Sequence, residues 1–108
     1  MFFFGDNSVA VDYYCQQGIE ASEGRFSDTH FEEMDEEQLR VAITCLRIAI
    51  LKASDDGASE DVLEALESEY EKVFTLLCQT SRQFREHSVK RFSGDQKNKY
   101  YLIALSAN

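Results

Sequence analysis

Arg82 and His87 stand at the two ends of the run Arg82-Gln83-Phe84-Arg85-Glu86-His87, and together they could steady an anion and move a proton. A guanidinium stays charged and forks onto phosphate oxygens, while an imidazole gives and takes protons near neutral pH. The other reactive side chains are thinly spread. Cys15, Cys45 and Cys78, with His30 and His87, are soft ligands without the short spacing that a zinc site uses. An odd number of thiols implies no disulfide framework, so the cysteines read as small buried hydrophobes. The chain has no phosphate-cradling glycine loop, no GxSxG and no HExxH. No metal and no cofactor is therefore expected.

The run from Arg82 to His87 resembles the Arg-x4-6-His motif of the HEPN family of helical ribonucleases. The resemblance covers those residues and the helical class. It implies metal-independent RNA cleavage, with Arg82 holding the phosphate and His87 moving protons, at a seam between two copies. The stretch Arg25-Phe26-Ser27-Asp28-Thr29-His30 has the same spacing in a segment read as loop. A purely structural account also exists. A helix ending near residue 87 would place Arg82, Arg85 and His87 in its last turns, where the helix dipole favours cations.

A second pattern is electrostatic. The chain has a net charge of −9 over 108 residues, unevenly placed. Residues 1–75 carry 18 Asp and Glu against 5 Lys and Arg, whereas residues 76–108 carry 6 Lys and Arg against Glu86 and Asp95. Glu36, Glu37, Glu60 and Asp61 sit in expected first helical turns, where anions are favoured. Glu64, Glu67 and Glu71 are not so explained. With Glu60 they recur at steps of four, three and four, which is one stripe on a helix. Like charges at that spacing cost about 0.2–0.5 kcal/mol per pair. Arg40 and Arg47 could relieve them within the fold, and Lys72 follows Glu69 by three residues.

An acidic surface repels nucleic acid and anionic membrane and attracts basic protein surfaces. The expected function is a non-enzymatic protein-interaction module. Its most concrete form is a small acidic inhibitor or adaptor whose Glu60, Glu64, Glu67 and Glu71 dock on a basic partner surface. Such a surface could be one that ordinarily grips nucleic-acid phosphates, so that the stripe mimics nucleic acid. Small inhibitors carried by phages and mobile elements have this size and charge. The alternatives are the ribonuclease, through Arg82 and His87, and an assembly chaperone or structural subunit that binds through apolar surface.

The elements that must position these residues are mainly α. The absence of proline removes helix breakers. Asp35 with Gln38 forms a capping box, Met34 and Leu39 a hydrophobic staple, and Asp55-Asp56-Gly57 a stop, so a helix is expected over 35–53. It is apolar almost all round, which marks a central helix. Ser59 caps a second helix, whose Leu63, Leu66, Tyr70, Val73, Leu77 and Phe84 form a heptad-like seam running to 87. The two make an antiparallel hairpin, 35–53 and 59–87, wrapped by the terminal segments. The second helix overhangs its shorter partner. Phe74, Leu77 and Phe84 must then be covered by the chain ends or by a second subunit, which motivates a homodimer.

Residues 2–14 read as a hairpin of two strands, Phe2–Phe4 and Val9–Tyr14, or equally as a helix capped by Ser8 that runs from Val9 to about Glu20. Residues 16–33 otherwise read as loop with a helical turn at 29–33. Ser93 with Gln96 suggests a capping box before a helix over 97–105, with a strand at 100–105 as the other option. The start, Met1-Phe2-Phe3-Phe4-Gly5-Asp6, lacks a basic n-region, and the longest apolar stretch, 41–51, is interrupted by Thr44 and Arg47. Neither a signal peptide nor a membrane span is expected, and the location is expected to be cytoplasmic, with the whole chain one domain.

Overall fold

The computed structural model describes residues 4–21 and 31–107, and side chains from Val9 onward within the first of these segments, Ala21 excepted. They form five α-helices, and no strand is present among the described residues. These are α1 (Phe4–Ala21), α2 (Glu36–Asp55), α3 (Glu60–Thr80), α4 (Arg82–Phe92) and α5 (Lys99–Ser106). A 3-10 turn at Phe31–Glu33 precedes α2. The Arg25 to His30 run lies outside the described residues.

The start of α2 follows from local chemistry. The Asp35 carboxylate accepts the Gln38 amide N–H at 2.8 Å, and the Gln38 side chain accepts the Asp35 N–H at 3.0 Å. Two backbone donors that a helix start leaves unpaired are thereby satisfied. The end of α2 is equally local. Gly57 takes φ +70°, the Ala58 N–H donates to the Ala53 carbonyl at 2.9 Å, and the Gly57 N–H donates to Ser54 at 3.1 Å. This is the Schellman arrangement, with glycine at the left-handed position. Ser59 then caps α3 by accepting the Val62 N–H.

The core lies on both sides of α2. Leu39, Ala42, Ile43 and Leu46 pack with Val73, Phe74, Leu77 and Cys78 of α3, and with Ala104 of α5. Ala49 and Ala53 pack with Val62 and Leu66 of α3 and with Tyr14 of α1. The late part of α2 thus meets the early part of α3, and the reverse. The strip Arg40, Thr44, Arg47 and Leu51 is the exposed or half-exposed edge of α2. At the crossing of α1 and α2, Gly18 is buried, and a Cβ built there would collide with the Cys45 carbonyl group. Only the missing side chain permits that approach.

Three expectations are corrected. The helix expected over 59–87 is broken at Ser81, which has φ −118° and ψ 110° and serves as C-cap of α3 and N-cap of α4. The apolar seam continues in sequence past the break, which is why periodicity did not show it. Because the chain turns there, α3 has no overhang. Phe74 is only 3% exposed, ringed by Tyr70, Phe84, Phe92 and Tyr100 of the same chain at centroid distances of 4.8–6.4 Å. The overhang therefore supplies no reason for a covering second subunit or for a structural subunit binding there.

The second correction concerns the chain's last helix. Ser93 is the C-cap of α4, and the N-cap of α5 is Asn98, whose side chain accepts the Tyr100 N–H at 2.8 Å. The Asp95 carboxylate accepts the Lys97 N–H instead of a Ser93–Gln96 box closing. The third is the terminal β option. From Phe4 to Ala21, and from Lys99 to Ser106, the backbone is helical.

Candidate protein-binding surface

The four glutamates of the expected stripe share α3, but the fold treats them as two pairs. Glu67 and Glu71 face α5. Lys99 Nζ lies 3.2 Å from Glu71 Oε2 and 3.6 Å from Glu67 Oε1, and the Tyr100 hydroxyl reaches Glu67 at 3.5 Å. The hydrogen bond to Glu71 and the neighbouring carboxylates raise the Lys99 pKa above its ordinary value. Burial, with Glu67 next, raises that of Tyr100 strongly. All three charged side chains remain close to half exposed. Arg40 and Arg47 do not relieve the stripe. Arg40 pairs with Glu36 at 3.0 Å and stands over the Phe84 ring, while Arg47 is exposed.

Glu60 and Glu64 are exposed and join no ion pair among the described residues. They continue into the turn between α2 and α3, where Asp55, Asp56 and Asp61 are exposed as well, with Lys52 the one nearby cation in the sequence. Glu60 and Asp61 are at the favourable, N-terminal end of α3. Asp55 and Asp56 are at the wrong end of α2, its C-terminus, where the dipole disfavours anions. Asp56 has a structural task, since it accepts the buried Tyr14 hydroxyl at 3.0 Å. Burial, then that bond, raises the Tyr14 pKa. Asp55 has no such task.

Arg82 and His87 are both exposed on α4. Arg82 is its first helical residue rather than one of its last, so a C-terminal dipole does not account for it. Instead Arg82 Nε donates to Glu86 at 2.8 Å. Five residues along a helix separate two side chains by roughly 140° around the axis. The fold therefore gives Arg82 and His87 different faces, and the arginine's charge is already matched by Glu86. It is Arg85 that does helix-end work, donating to the Cys78 carbonyl at 3.2 Å.

The thiols are packed as small hydrophobes. Cys45 and Cys78 are buried and Cys15 is partly so. Cys15 and Cys45 line a cavity of about 80 Å³ with Ile19, Phe31, Leu46 and Glu69. Burial, then Asp12 and Glu69, raises the Cys15 pKa, and burial pushes Cys78 up to about 11. Both shifts disfavour the thiolate, the reactive form. Among the described residues no group of three His, Cys, Asp or Glu side chains is placed to hold a metal, and no helix is long and apolar enough to cross a membrane.

No protein-family model matches the chain, and no curated protein and no solved structure matches it.

Two kinds of residue escaped sequence reasoning. Asp55 and Asp56 were legible only as a helix stop, because their common exposure with Glu60 and Glu64 depends on the turn. Lys99 and Tyr100, far along the chain, meet the stripe only because α4 and α5 fold back. Composition offered one signal, the basic balance of residues 76–108, which supplies the cation.

Proposed function

We propose that the chain is a non-enzymatic protein-interaction module of the cytoplasm, a small acidic inhibitor or adaptor that docks on a basic partner surface. The carrying observation is the group Asp55, Asp56, Glu60, Asp61 and Glu64, exposed and joined in no ion pair among the described residues. Two like-charged glutamates one turn apart, and a carboxylate at a helix C-terminus, each cost a few tenths of a kcal/mol or more. Within that group Glu60 and Asp61 suit the start of α3 and Asp56 holds Tyr14. Asp55 and Glu64 have no such use in the fold, and a basic partner would give them one. A partner that ordinarily grips phosphates would present the right counter-surface. The stripe Glu60, Glu64, Glu67 and Glu71 remains the binding face in this reading, with its outer half free and its inner half occupied.

The test is capture of a protein from native lysate after nuclease treatment, repeated at rising salt. Capture should weaken with salt and be lost in the triple variant Asp55→Lys, Glu60→Lys, Glu64→Lys. Undiminished capture by that variant would remove the acidic-surface reading.

A further inference from the structure

The inner half of the stripe already holds a cation of the chain's own. Lys99 places an ammonium between Glu71 at 3.2 Å and Glu67 at 3.6 Å, and the same nitrogen stands 5.5 Å from the centre of the Tyr100 ring. Two carboxylates and an aromatic ring converging on one cation make a receptor for a primary ammonium. We propose that Lys99 is a placeholder in that receptor, and that a lysine of a basic partner segment displaces it. The partner then engages Glu60, Glu64, Glu67 and Glu71 as one continuous row. This rests on the acidic-surface reading and specifies the partner's chemistry as lysines at matching helical steps.

Two observations make the exchange feasible. Lys99 and its two glutamates are 43–50% exposed, so the ion pairs are wet and weak and an incoming cation can reach them. The helix that carries Lys99 is held by other means. Tyr100 packs on Phe74 at 4.8 Å and on Phe92 at 6.1 Å, and Ala104 is buried in the core. The lysine side chain can therefore swing out while α5 stays docked.

The experiment uses the full chain and a fluorescein-labelled helical peptide with lysines at steps of four, three and four, read by anisotropy at low salt. Lys99→Met keeps an unbranched aliphatic side chain at that position and removes the competing charge. It should tighten peptide binding about threefold to fivefold, the scale on which exposed ion pairs act. Lys97→Met makes the same change in net charge at an exposed turn residue outside the receptor and should alter binding far less. Adding Glu67→Gln and Glu71→Gln to Lys99→Met should cancel the gain. Equal effects of Lys99→Met and Lys97→Met would overturn the placeholder. If the Asp55, Glu60, Glu64 reversal abolishes binding while Lys99→Met adds nothing to it, the acidic surface stands and only the placeholder falls. Binding that survives the reversal sinks both.

Discussion

Arg85 Nη1 donates to the carbonyl oxygen of Cys78 at 3.2 Å, across the joint between α3 and α4. In an unbroken helix that carbonyl would accept the N–H of residue 82. The last helical bond of α3 instead ends on Leu77, which accepts the Ser81 N–H at 2.8 Å, and Cys78 is the first carbonyl left over. A guanidinium takes up the orphan, and its positive charge suits the C-terminal end of α3.

The joint itself should be sensitive to one hydroxyl. Ser81 is 3% exposed, accepts the Phe84 N–H at 3.1 Å and receives Arg40 Nη2 at 3.3 Å. Ser81→Ala removes both bonds and is expected to destabilise the fold by about 0.5–2 kcal/mol. Thr80→Ala, at the exposed neighbour, should stay within about 0.5 kcal/mol. Urea unfolding of the two variants decides.

Gly18 should behave against its type. Alanine inside an open helix is normally better than glycine by roughly 0.5–1 kcal/mol. Here the added methyl meets the Cys45 backbone, so Gly18→Ala should destabilise by about 1–3 kcal/mol as overpacking. Gly94→Ala, where nothing lies within 4 Å, is the control. A rise in midpoint for Gly18→Ala would contradict the close crossing of α1 and α2.

At the acidic turn, stability and binding should move in opposite directions. Asp55→Asn removes an anion from the end of α2 and is expected to add about 0.3–1 kcal/mol to stability. The same change should weaken capture of a basic partner. A variant improved in both would mean that Asp55 does not serve binding.

Alkali should unfold the protein sooner than acid chemistry alone suggests. The pKa values of Cys15, Cys78, Tyr14, Tyr100, Lys72 and Lys99 are all raised in the folded state. A raised folded pKa means the native state holds its proton longer. Its contribution is complete below the unfolded pKa and is lost as pH climbs toward the folded one. Stability should therefore decline as pH rises from about 9, where free thiols ionise. Thermal midpoints flat between pH 9 and 11 would refute this.

The Arg82 and His87 pair gives a prediction of absence. Purified protein should leave structured and unstructured RNA intact, and Arg82→Ala and His87→Ala should differ from the parent only in minor stability. Cleavage lost in both variants would overturn the non-enzymatic reading and restore the resemblance to the ribonucleases.

What could be read from the sequence was local. Asp35 with Gln38, Ser59, and the Asp55-Asp56-Gly57 stop each involve groups within a few residues, and the bonds found are those that such residues make. The enclosure of α2 was legible for a different reason, since few faces of that helix tolerate water. The break at Ser81 was not legible. Leu77 and Phe84 keep a seven-residue step, and that step satisfies a straight seam as well as two helices that close on Phe74. The division of the glutamate stripe was equally hidden, because the fold-back that brings Lys99 to Glu67 and Glu71 is a tertiary event with no short-range mark.

A single residue serves both helices at the joint, so the corner has no slack. One residue added or removed there would turn α4 by roughly 100° about its own axis. Phe84 and Phe92 would then leave Phe74, and the aromatic ring stack would lose its phase with α3. Length at this corner therefore helps to keep Lys99 opposite its carboxylates.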